Sequence, residues 1–216
     1  ITSPFFARGS IYCEEVQFHD RWALLIAVGV YAGHPEKDRP SMLEVVDEVR
    51  DALLSSRCWR EDHIKVIKGK EATTVNILKG LLWLLKVSGD DDFSLVYITT
   101  HGFPILIDGT TLDLPPFDEQ DGADEALASC FGFINPLAII WDDELNLFLS
   151  LLKSKGVCLI VDSCYSGGFN DAPLFGKRNR VVLMSCKEDE VSFGSMFSHC
   201  IAEGLKGEAD YNGDGV

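Results

Sequence analysis

The chain has 216 residues, 46% of them hydrophobic, and a formal charge of -15. That length suits one α/β domain with a real core. The acidic balance, with no basic stripe to neutralise phosphates, excludes nucleic acid as a partner, and no apolar run is long enough to span a bilayer, so no membrane partner is expected either. An acidic surface suits cationic substrates or metal ions instead.

The first residue is Ile1 and no signal peptide is evident, so processing or truncation ahead of it is expected. Localisation is left open between the cytoplasm, which is favoured, and export. Seven cysteines without a CxxC pair argue against a zinc ribbon or a thioredoxin-type site. Several lie in apolar runs, as core cysteines do, and a reducing compartment is favoured.

Residues 1–20 show no period and read as an arm. Trp22 to Val30 is a nearly continuous apolar run, the pattern of a strand buried on both faces. Ser41 to Leu54 carries a helical stripe through Leu43, Val46, Val49 and Leu53. Ile64 to Ile67 is a short strand and Thr74 to Val87 an apolar helix. Phe93 to Thr99 is the next buried strand. Ile105 to Leu112 reads as a hairpin about Asp108-Gly109. Residues 113–140 read as one long loop rich in Asp and Gly, of a length that usually serves function. Asp142 to Leu152 is a helix with acids in its first turn, where the dipole favours them. Val157 to Val161 is a strand, Asn170 to Asn179 a loop, Val181 to Ser185 a strand and Ser195 to Leu205 a helix. Alternating strands and helices predict a mostly parallel sheet flanked by helices in three layers.

Two strands end in reactive residues, one at Thr99-Thr100-His101-Gly102 and the other at Asp162-Ser163-Cys164. Ligands of open α/β sheets gather beyond the carboxyl ends of the strands, so parallel neighbours would bring His101 and Cys164 to one edge. A thiol attacks as thiolate, and a nearby imidazole can take its proton. The N–H groups of Gly102 and Cys164 are the natural donors to an oxyanion.

The motifs TTHG (99–102) and DSCYSG (162–167) resemble the His-Gly and Asp-Ser-Cys-x-Ser-Gly motifs of the caspase-like cysteine peptidases, above all the metacaspases and their prokaryotic relatives. DGADEALA (121–128), IIWDDEL (139–145) and VVLMSCKEDEVSF (181–193) extend the resemblance, which runs from Trp22 to the end of the chain. It implies a three-layer caspase-like fold over residues 21–206, preceded by the arm, and an endopeptidase with Cys164 as nucleophile and His101 as general base and acid. It also implies a peptide or protein substrate with Arg or Lys before the cut, held by Asp162 and by Glu48 on the first helix, where the family has Asp. The family's activating calcium falls on Asp124, Asp142, Asp143 and Asp171, and carboxylates from separate loops suit that ion. Tyr165 stands where eukaryotic metacaspases have His, as in prokaryotic relatives.

Lys177-Arg178-Asn179-Arg180 matches the implied specificity and is a candidate for self-cleavage. Residues 207–216 end in DYNGDGV, the opening of an EF-hand-type loop lacking its last ligand positions. The alternatives are a legumain- or gingipain-like peptidase of the same clan with a different preference before the cut, a non-catalytic caspase-fold scaffold, and an unrelated α/β binding domain. The physiological substrate and the oligomeric state are not legible in the sequence.

Overall fold

The computed structural model describes residues 17–115, 117, 122–170 and 179–211. Its centre is a five-stranded, wholly parallel sheet in the order β10-β9-β3-β1-β2. These strands are β1 (Arg21–Ala27), β2 (Ile64–Lys68), β3 (Phe93–Thr99), β9 (Gly156–Asp162) and β10 (Arg180–Met184). The apolar runs read as buried strands are buried: residues 23–27 of β1 are wholly inaccessible. β1 stops earlier than the run of hydrophobic residues does, because Gly29 turns the chain at a positive φ of 60°.

Helices cover both faces. α1 (Pro40–Ser55) starts on a proline, which needs no hydrogen bond for its missing N–H there. It buries Met42, Val45, Val46, Val49, Ala52 and Leu53, one stripe at helical spacing. The stripe meets Ala23, Leu25 and Tyr97 of the sheet, as does Ala202 of α4 (Met196–Glu203). On the opposite face lie α2 (Thr74–Val87), whose N-terminus is capped by the Thr73 hydroxyl accepting from the Asn76 N–H at 3.1 Å, and α3 (Asp142–Leu151). Ile77, Leu81 and Leu84 pack there with Leu145 and Leu149 against Leu24, Ile26, Val96 and Leu159. Cutting any of these leucines to alanine is worth about 2–5 kcal/mol.

Residues 113–140 are not one loop. They contain β7 (Glu125–Ala128) and β8 (Ile139–Trp141), which pair antiparallel with each other, and β7 also pairs antiparallel with β4 (Gly102–Pro104) on its other side. Four-residue and three-residue strands are too short to show a period, so pairing partners rather than local sequence define them. The hairpin of β5 (Leu106–Ile107) and β6 (Thr110–Thr111) turns at Asp108 and Gly109, both at positive φ as a type I′ turn requires. The arm up to residue 16, the segment 171–178 and residues 212–216 lie outside the described residues, and with them Asp171, Lys177 and Arg178 of the basic cluster, and the last five residues of the EF-hand-like stretch.

Candidate active site

The register of β3 against β9 pairs Thr99 with Asp162, and the Thr100 N–H donates to the Asp162 carbonyl at 3.3 Å. The two strands therefore deliver His101 and Cys164 in step, each two residues past its paired position. Both line one cavity of about 150 Å³ with Arg39, Met42, Asp162 and Ser192. A wider cleft of about 780 Å³ lies behind the nucleophile turn, lined by Gly167, Met184 and residues 186–190, and holds neither His101 nor Cys164.

The turn after β9 is shaped to expose the thiol. Ser185 Oγ accepts the Ser163 N–H at 3.1 Å and donates to the Ser163 carbonyl at 2.9 Å. Tyr165 then adopts a positive φ of 59°, with its N–H donating to the Glu190 carbonyl at 2.9 Å. A β-carbon on Gly168 would run into the carboxylate of Glu125, which would have to move aside. Gly102 is constrained in the same way, because a β-carbon would strike the carbonyl of Cys164. Gly102→Ala is therefore expected to push the two strand ends apart, lowering turnover at least about tenfold and stability by about 1–3 kcal/mol. Turnover and thermal melting measured on the same preparation check this.

His101 is half-buried, and its Nε2 lies 2.9 Å from the Lys37 carbonyl. A carbonyl only accepts, so Nε2 carries the hydrogen and Nδ1 is left as the basic nitrogen. The ring packs between Tyr31 (centroids 5.0 Å apart) and Phe133 (5.6 Å). The Tyr31 hydroxyl also accepts the His101 N–H at 3.1 Å and lies 2.9 Å from Thr100 Oγ1. Burial lowers the His101 pKa below the ordinary imidazole value; the Lys37 carbonyl opposes this, and the Arg39 and Lys37 charges add to it. The Cys164 thiol meanwhile donates to the Ser192 carbonyl at 3.8 Å, a long contact of the kind resting dyads show.

Gly102 faces Leu127 as a non-hydrogen-bonded pair, since the Ala128 N–H donates to the His101 carbonyl one step away. The Gly102 N–H accordingly turns away from β7. The Cys164 N–H makes no hydrogen bond to another described residue.

Asp162 is 2% exposed. Its carboxylate accepts from the Ser198 N–H at 3.3 Å, from the Ser198 hydroxyl, and from the Ser192 hydroxyl at 3.3 Å. Burial raises its pKa, and these hydrogen bonds oppose the rise. Glu48 is not brought into this cavity. Its place on α1 faces a neighbouring groove, where its carboxylate lies 2.8 Å from His199 Nδ1. Glu48 is one helical turn beyond Glu44, so it lies along the groove shared with α4 rather than above the thiol.

Asp124 and Asp142 are both buried, at the ends of β7 and β8. Asp142 accepts the N–H groups of Glu125 (3.3 Å) and Asp143 (2.8 Å), and Asp124 accepts that of Leu114 (3.0 Å). Burial pushes Asp142 up to about 7, and the neighbouring charges of Asp124 and Asp143 add to the rise. Carboxylate oxygens are the hard donors that calcium takes, but among the described residues Asp124, Asp142 and Asp143 do not gather three ligand atoms within 4.8 Å of one another.

Arg39, Tyr31 and the Lys37 carbonyl belong to the site but carried no sequence signal. The six described cysteines are all free thiols.

No family model matches the chain. Curated relatives do. Metacaspase-1B of Aspergillus terreus is 32% identical over 162 residues, covering 71% of this chain and 40% of the relative. Metacaspase-1 of Eremothecium gossypii is 28% identical over 162 residues, covering 71% and 33%. The crystal structure of caspase-1 from Spodoptera frugiperda superposes with a TM-score of 0.60 at 16% identity, over 87% of this chain and 69% of that one. This chain is caspase-like, and most like the metacaspases. The metacaspase-like chain spans well under half the length of these two curated relatives. The solved structure speaks for the shared α/β architecture, the five-stranded parallel sheet between helical layers.

Proposed function

We propose that the chain is the peptidase part of a cysteine endopeptidase that cuts after Arg or Lys, assisted by calcium. The observation that carries this reading is the convergence of His101, Cys164 and the buried Asp162 on one cavity. In the reaction, His101 Nδ1 takes the thiol proton as Sγ attacks the carbonyl carbon of the scissile bond. The N–H groups of Gly102 and Cys164 receive the oxyanion. The imidazolium returns its proton to the leaving amine, and a water activated by the same Nδ1 then hydrolyses the thioester. The Lys37 carbonyl holds the imidazole in the required tautomer throughout.

Asp162 supplies the basic preference. A carboxylate held out of water, with only neutral donors around it, favours a cation that can enter and pair with it. A calcium ion would be held by Asp124, Asp142 and Asp143, and would screen carboxylates that otherwise repel one another. Asp171 is proposed as a further ligand from its place in the metacaspase motif.

Hydrolysis of an arginyl reporter peptide, measured with calcium and then with chelator, tests the reading. Cleavage that falls at least about tenfold in chelator and returns with calcium is expected, since metal ligands and their partners are typically worth factors of that order. Cleavage after Asn or Asp in preference to Arg would rule out the basic pocket. The pH profile gives a second check. Because His101 is depressed below the ordinary value, its neutral form persists as pH falls, and kcat/KM should hold until an apparent pKa below about 6.5. An acid limb above about 7 would instead mean that a charged imidazole is the resting form.

A further inference from the structure

The cavity that holds His101 and Cys164 is lined in part by Ser192 and Gly194, in the chain that runs from β10 to α4. Little ties this stretch down. Val191 is 54% exposed and Phe193 85%, and Gly194, at a positive φ of 60°, has open space where a β-carbon would be. Among the described residues, none of residues 191–194 makes a backbone–backbone hydrogen bond, and the two hydrogen bonds they do make both belong to Ser192. Its hydroxyl donates to Asp162 Oδ1 at 3.3 Å, and its carbonyl accepts from the Cys164 thiol at 3.8 Å. One residue therefore touches both the carboxylate offered to the substrate's cation and the nucleophile.

The two oxygens of Asp162 are held unequally. Oδ2 accepts both donors of Ser198, its N–H at 3.3 Å and its hydroxyl, and the Tyr97 hydroxyl donates in turn to Ser198 Oγ at 2.6 Å. Ser198 and Tyr97 are fully buried, so this oxygen is fixed to α4 and β3. Oδ1 accepts only the Ser192 hydroxyl among the described residues. A carboxylate oxygen takes about two donors. A guanidinium arriving with paired N–H groups therefore finds room at Oδ1 by displacing Ser192. The exchange is favourable, because a charge-assisted hydrogen bond is about twice as strong as a neutral one.

We propose that Ser192 is a positioning residue that couples occupation of Asp162 by a basic side chain to release of the Cys164 thiol. When the cation takes Oδ1 from the Ser192 hydroxyl, residues 191–194 keep a single contact, and a thiol is a weak donor. The stretch moves off, the Ser192 carbonyl leaves the thiol, and the S–H turns to His101 Nδ1, which takes its proton as Sγ attacks. Until a cation is seated, the thiol stays protonated and engaged. The inference rests on the basic preference proposed above. It adds that part of this preference is expressed after binding, because the correct side chain completes the catalytic arrangement.

The test is the rate at which iodoacetamide alkylates Cys164 in the full chain, read by site-resolved mass analysis. Methylguanidine is the probe, since it carries the cation and has no bond to cleave; its saturation is followed by inhibition of arginyl reporter hydrolysis. It should speed alkylation about two- to tenfold, the range that one lost hydrogen bond gives, and neutral methylurea should not. Ser192→Ala should react at the faster rate without methylguanidine and gain nothing from it. Acceleration that persists in Ser192→Ala would be the cation's charge acting directly on the thiolate, and overturns the proposal. So does a Ser192→Ala rate equal to the parent's in the absence of the cation. The parent chain separates the two readings. Arginyl hydrolysis with alkylation slowed or unmoved by methylguanidine removes the coupling and leaves the basic preference standing, whereas absence of arginyl hydrolysis removes both.

Discussion

Cys164→Ala is expected to lower hydrolysis of an arginyl reporter by about a thousandfold or more, with the melting temperature nearly unchanged. The magnitude follows from losing the proposed nucleophile, since nucleophile and base act as one unit. The thermal expectation follows from the site. Among the described residues the thiol's one hydrogen bond is a 3.8 Å contact to the Ser192 carbonyl, and the side chain is only partly buried. Labelling with an iodoacetamide-type probe should disappear in the same variant, although Cys58 and Cys200 are exposed and will give a background. Site-resolved mass analysis separates them. Hydrolysis that survives in Cys164→Ala would end the proposed mechanism, whatever the fold.

Asp162→Asn carries the second largest effect. A buried carboxylate facing an incoming guanidinium is worth about 2–5 kcal/mol when its charge is removed. The expected loss in kcat/KM for an arginyl substrate is therefore about 30- to 5000-fold. Folding should survive, because the amide oxygen can keep the two Ser198 donors while the Ser192 hydroxyl, which faces the other position, can turn to accept from the amide NH2. Alkylation of Cys164 by a small neutral probe should proceed at the parent rate, since the probe needs no cation site. Equal losses for arginyl and uncharged substrates would show that Asp162 only braces α4. A Glu48→Gln variant makes the contrast: its carboxylate is engaged by His199 in the adjoining groove, and the loss expected there is far smaller.

The parallel sheet and its helices were legible because their signals are local. Residues 93–99 are mostly apolar because both faces of β3 are covered, and α1 shows its stripe because only one side meets the sheet. The small sheet of β4, β7 and β8 was not legible. Its strands are three or four residues long, and partners 11 to 25 positions apart define them. The same contrast holds within the site. His101, Cys164 and Asp162 stand at the ends of strong strand signals, whereas the group holding the His101 tautomer is a main-chain carbonyl, which any residue at position 37 would supply.

By itself the sequence determined which chemistry is available: a thiol, an imidazole and a carboxylate, each at a strand end beside a glycine or a serine, within a chain whose apolar spacing dictates a parallel sheet. Only the tertiary structure decided how these groups meet. The pairing of Thr99 with Asp162 puts the reactive ends in step. The close passage of Gly102 by the Cys164 carbonyl holds them together. The turn of α1 sends Glu48 to His199 instead of to the cavity. Hydrophobic periodicity is a property of neighbours along the chain, while register, burial and proton position depend on segments brought together from far apart.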